Sequence, residues 1–189
     1  AQVSALSSTA LAVLGGDRLN ALSTDALKTI SSTQIQGFTT AQINALNSAS
    51  FAALTTQALN TLSVTQAKGL SNGVLSTLST SEINALSSSA LNALSATQIG
   101  QIATTALAKL NTDLVKTLTN TTVSSLQPTQ ISALSTDQIS ALKTTSLTTG
   151  VLNSLTTANI NLLTSSTLNA LSSAQISGID ATALKNLST

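Results

Sequence analysis

A leucine or isoleucine returns every eight residues along this chain, and that spacing restricts the folds open to it more than any other feature. From Ser7 to Leu142 the residues fall into consecutive octads; Lys143–Leu147 breaks the frame, and octads resume from Thr148 to Leu187. Numbering each octad from its opening residue, most often Ser or Thr, position 8 holds Leu, Ile or Phe throughout: Leu14, Leu22, Ile30, Phe38, Leu46 and on to Leu187. Position 5 is almost as strict (Leu11, Leu19, Leu27, Ile35, Ile43, Phe51), with Ala67 its small exception. Residues 1–189 therefore read as one continuous repeat array.

Apolar residues at positions 5 and 8 are three apart, which suits a helical face and not the period-2 alternation of a strand. One unbroken helix fails, because eight residues advance about 800° and the apolar stripe would drift by about 80° per octad. The sequence predicts instead one short helix per octad, restarted at positions 1 and 2. Ser31–Gln34, Thr39–Gln42, Ser79–Glu82, Ser95–Gln98 and Ser135–Gln138 have the spacing of a capping box. Pro128, the only proline, stands at position 2, where a helix has no use for its missing N–H. Charges sort by sign: Asp17, Asp25, Asp113 and Asp137 at position 3, Glu82 at 4 and Asp180 at 1, against Lys28, Lys68, Lys116 and Lys185 at position 6 and Lys109 at 7. That order complements the dipole of each short helix, Arg18 and Lys143 being the exceptions.

Helices this short do not form alone in water, so packing must hold them. The expected fold class is all-α, a solenoid whose core is positions 5 and 8 together with Ala at position 7 (Ala45, Ala53, Ala85, Ala93). Each buried Leu or Ile contributes about 1.5–3 kcal/mol. Octads come in two flavours, Gln at position 4 followed by Ile or Val (Gln34–Ile35, Gln98–Ile99, Gln175–Ile176) and Ala at position 4 followed by Leu (Ala10–Leu11, Ala90–Leu91, Ala183–Leu184). Reading them as alternating over Thr55–Leu110 and Thr148–Leu187 predicts two octads, 16 residues, per coil. Twelve such coils would make a rod of roughly 110 Å. The alternative is a β-solenoid with Ser/Thr-rich corners, against which Leu, Ala and Gln favour helix.

Composition bounds the function. The chain has no His, Cys, Met, Trp or Tyr, only 7% charged residues and a net charge of +1. No catalytic, cofactor-binding or metal-ligating residue is assigned, and the expectation is that the protein is not an enzyme and carries no cofactor. Asp17 and Asp25 read as solvated surface acids, and Gly15–Gly16 and Gly150 as relaxed corners. The lysines are scattered without interleaved aromatics, which argues against nucleic acid as a partner. No apolar run reaches the roughly 20 residues of a membrane span. Asn120-Thr-Thr and Asn186-Leu-Ser match the glycosylation pattern. The Ser/Thr rows at positions 1 and 2, and Asn at position 6 (Asn20, Asn44, Asn60, Asn84, Asn92, Asn153, Asn161, Asn169), read as caps and solvated face, or else as a neutral surface for lateral bundling, carbohydrate or ice.

Joined tail to head, Ser188–Thr189 and AQVSAL spell another octad, STAQVSAL, so the array is expected to continue end to end with itself, as an excised piece or as a filament subunit. Phrases such as LSTDQISALKTTSL (Leu134–Leu147) and LSATQIGQI (Leu94–Ile102) resemble the Ser/Thr/Gln/Leu-rich repeat arrays of very large bacterial surface proteins described as adhesins or haem-utilisation-like. The resemblance implies an extracellular, extended, adhesive or filament-forming role. It carries over no ligand residue, and His, Cys, Met and Tyr are all absent as haem ligands.

Overall fold

A computed structural model describes residues 2–161 and 163–185. Each complete octad within them forms one α-helix of four to six residues that starts at position 2 and ends at position 5, 6 or 7, and no strand occurs among the described residues. The β-solenoid alternative is not supported; the chain is an all-helical solenoid.

The reason the helix restarts every eight residues is local. Positions 8 and 1 are extended, as at Leu86 (φ −65°, ψ 138°) and Ser87 (φ −67°, ψ 155°), and the Ser87 hydroxyl accepts from the Ala90 N–H to open the next helix. At the other end the position-8 N–H bonds the position-5 carbonyl (Leu94 to Leu91, 3.3 Å), which tightens the last turn. The five capping boxes expected from spacing all form, as do two more at Ser63–Gln66 and Ser172–Gln175. Pro128 occupies the first helical position as expected.

The coil is longer than expected. Helix Ser8–Ala12 packs on Ser32–Gln36, Gly16–Asn20 on Thr40–Ala45, and Val64–Ala67 on Ser88–Ala93, each pair three octads apart. Hydrogen bonds between turns span from 25 residues (Asn20 to Ala45) to 31 (Gln42 to Leu11). A turn therefore takes more than three octads and fewer than four, not two. The Gln/Ala alternation misled because two octads divide four: Gln34, Gln66, Gln98 and Gln130 recur every four octads, and a period of two is also met over part of that stretch. About seven turns at 9–10 Å make a rod of roughly 65 Å, not 110 Å.

One apolar cluster runs from Leu11 to Ala183, and every position-5 and position-8 residue from Leu27 to Leu163 is buried. Position 4 is a third inward position that the spacing did not reveal: Ala58, Val74, Ala90 and Ala106 are buried there, as are Gln34, Gln42, Gln66, Gln98, Gln130 and Gln138. Position 7 is mixed, with Ala53 and Ala85 buried, Ala93 half-buried and Ala45 exposed.

The frame break is a shortened octad, not an insertion. Thr144–Ser146 forms a 3-10 turn and Leu147 is 1% exposed, filling the place of a position-8 residue. Gln175 donates to the carbonyls of Thr144 and Leu147, 31 and 28 residues back, as other glutamines do to positions 5 and 8. Across the break the 28-residue step shrinks by the three missing residues: Asn159, standing where Gln often stands, reaches the Leu134 carbonyl 25 residues back at 3.0 Å. Leu187, Asn186-Leu-Ser and Ser188–Thr189 lie outside the described residues.

Candidate functional site

The polar side chains form two ladders between turns, running in opposite directions. Glutamine at position 4 points backward. Its Oε1 accepts from the backbone N–H of its own cap, and its Nε2 donates to the last carbonyls of an octad one turn earlier. Gln66 bonds Ile35 (2.7 Å) and Phe38 (2.8 Å); Gln130 bonds Ile99 (2.9 Å) and Ile102 (2.7 Å); Gln138 bonds Leu107 and Leu110, both at 2.7 Å. A helix ends with carbonyls that its own backbone does not satisfy, and the glutamine of the next turn caps them.

Asparagine at position 6 points forward. Asn84 Nδ2 donates to the Lys109 carbonyl (2.9 Å), and its Oδ1 accepts from the Asn111 N–H (2.7 Å). The same pair of bonds joins Asn20 to Ala45 and Asn47, Asn92 to Thr117 and Thr119, and Asn153 to Gly178 and Asp180. These asparagines are structural cross-braces, so they do not form a free row for a ligand. The 32-residue recurrence of Gln34, Gln66, Gln98 and Gln130 was the signal in the sequence that marked the backward ladder.

The apolar core has the same polarity. At the first turn position-5 residues Leu11 and Leu19 are fully buried while position-8 residues are not: Leu6 is 40% exposed and Leu14 and Leu22 are half-buried. At the last turn the reverse holds, with Ile179 buried and position-5 residues Ile176 and Leu184 each 47% exposed. Position 5 is thus covered by the turn that follows and position 8 by the turn that precedes.

The other sequence candidates stay apart. Asp25–Lys28 (3.4 Å) and Asp113–Lys116 (3.0 Å) are exposed i,i+3 pairs, worth little to stability. Among the described residues no three acids lie close enough to hold a metal ion. Gly15 caps a helix, Gly16 packs on Ala45 and Gly150 lies inside Thr149–Asn153; no described glycine has positive φ, so these are not relaxed corners. Asn120 accepts from the Ser146 hydroxyl at 2.7 Å. No described helix is long and apolar enough to cross a membrane. Position-1 hydroxyls are mostly turned to their own backbone as caps, which leaves Ser and Thr at positions 2 and 3, such as Thr40, Thr80 and Thr97, as the outward hydroxyl surface.

Residues 17–48 match the ALTTAQ repeat. The match shows a repeat protein over a stretch four octads long, and the family's letters fall on positions 7, 8, 1, 2, 3 and 4 of this octad, where Thr39-Thr40-Ala41-Gln42 stands. Its final Gln is thus the residue of both the capping box and the backward ladder. No curated protein matches the chain.

Proposed function

We propose that this solenoid is the shaft of an extracellular filament or surface adhesin, a non-enzymatic rod that continues end to end with further octads of its own kind. The observation that carries this reading is the uniform core: every position-5 and position-8 residue from Leu27 to Leu163 is buried in the same way turn after turn, in a stack whose geometry sets no limit on its length. The braces are neutral amides and hydroxyls, with two exposed ion pairs beside them, so the rod is insensitive to the salt of an external medium. The absence of Cys and Met leaves no side chain to oxidise there.

Antibody raised against the chain, applied to intact cells that produce it and viewed by electron microscopy, tests the reading. Label along thin surface fibres is expected; label seen only after permeabilisation would overturn it. A hydroxyl surface for ice or polysaccharide would rest on positions 2 and 3 alone, and a Thr→Lys series along those positions that abolished glycan binding or thermal hysteresis would favour it.

A further inference from the structure

Asn72 is the only asparagine in the chain followed by glycine, and that pair of residues carries a chemistry of its own. The backbone nitrogen after an asparagine attacks the side-chain amide carbon to close a five-membered ring. A side chain on the second residue hinders the closure, and glycine has none. The structure leaves both reacting groups free. Asn72 is exposed, and its amide has no hydrogen-bond partner among the described residues. Gly73 is exposed too, and its N–H is one of those that a helix leaves without an internal acceptor in its first turn. A Cβ built on Gly73 would meet nothing nearer than the Ser71 hydroxyl at 3.9 Å, so nothing crowds the nitrogen. Other asparagines differ on one count or another. Asn20, Asn84, Asn92 and Asn153 have both amide atoms bonded across turns, whereas Asn44 and Asn169 are exposed and unbonded but precede alanine.

We propose that Asn72–Gly73 is a site of spontaneous deamidation, at which the rod gains a carboxylate as the protein ages. The Gly73 nitrogen bonds to the Asn72 Cγ, and the side-chain nitrogen leaves with the Gly73 proton as ammonia. Water then opens the succinimide. Opening at Cγ gives aspartate on an unchanged backbone. Opening at the main-chain carbonyl gives isoaspartate, which routes the backbone through Cβ and lengthens it by one carbon. The two products act differently on the stack. Across this dipeptide the Ser71 hydroxyl accepts from the Val74 N–H at 3.3 Å, and the Gly73 carbonyl accepts from the Ser48 hydroxyl of the preceding turn at 3.1 Å. Helix Ser48–Ala52 packs on Asn72–Thr77 at that place. The added carbon of isoaspartate displaces both bonds and loosens the seam, while aspartate leaves it as it is. Ring closure draws the Asn72 backbone out of its helical geometry, so local opening of the capped first turn sets the rate.

Peptide mapping of the folded chain during storage in warm, mildly alkaline buffer tests the site. Cleavage after Lys68 and Glu82 releases residues 69–82, which hold no other asparagine and no glutamine. A gain of one dalton in that segment, shared between an aspartyl and an isoaspartyl form, is expected. Gly73→Ala should abolish the gain with helix content retained, as read by far-UV circular dichroism. Ser71→Ala, which frees the first turn, should speed it about fivefold. Asn72→Asp should melt with the parent, whereas the isoaspartyl fraction separated from aged protein should melt lower; equal melting of the two would overturn the loosened seam. An Asn72 that stays intact in the folded chain while it reacts in the guanidinium-unfolded chain would overturn the proposal, as would an equal gain at Asn44 or Asn169.

Discussion

At the scale of single residues, the side chain at position 4 decides how well each turn is tied to the one before. Gln66 both completes its cap and donates two bonds backward, so Gln66→Ala is expected to cost about 2–4 kcal/mol, read by chemical denaturation. Glu82 completes the same cap, its Oε2 accepting the Ser79 N–H at 2.6 Å, yet it has no amide to offer the Phe51 and Leu54 carbonyls. Glu82→Gln should therefore stabilise the rod by about 1 kcal/mol; a loss would show that the ladder is not what holds the turns. Glycine tests the spacing between turns. A Cβ on buried Gly69 would stand 2.8 Å from the Thr40 carbonyl oxygen of the preceding turn, whereas one on Gly73 meets nothing nearer than its own cap at 3.9 Å. Gly69→Ala should cost about 1–3 kcal/mol, and Gly73→Ala should gain about 0.5–1 kcal/mol, with melting temperatures moving in opposite directions.

At the scale of the element, each octad is a helix of low intrinsic stability bounded by a hydroxyl cap and an extended leucine. Ser95→Ala removes one cap and should cost about 1 kcal/mol. The shortened octad fills a full side of the coil, so Leu147→Ala should cost about 2–5 kcal/mol, the same range expected for Leu91→Ala. Near-neutrality at Leu147 would mean that the frame break is a loop outside the core. The helices, their caps, Pro128 and the core at positions 5 and 8 were legible because they depend on neighbours within one octad. The ladders were harder to see, since Gln66 and Ile35 are 31 residues apart and the acceptor is a backbone carbonyl that no residue type advertises. Position 4 was obscured for a related reason: Ala and Gln there do not look like one inward-facing class until the amide is seen bonded to the adjacent turn.

At the scale of the whole molecule, the turns form a quasi-one-dimensional stack in which each contacts its neighbours and the core has a direction. Removing four whole octads, residues 63–94, should leave a shorter rod that still unfolds cooperatively, while removing only residues 63–66 should disrupt the turns on both sides. The central claim is that a turn takes more than three octads, so that Val64–Ala67 lies against Ser88–Ala93. Because the chain has no cysteine, spin labels can be placed at will on exposed Thr65, Ser81 and Ser89, all at position 3 of their octads. Pulsed electron resonance on Thr65→Cys paired with Ser89→Cys, and on Thr65→Cys paired with Ser81→Cys, measures the coil directly. The shorter distance is expected between 65 and 89, three octads apart; a shorter distance between 65 and 81 would mean two octads per turn and would contradict both ladders.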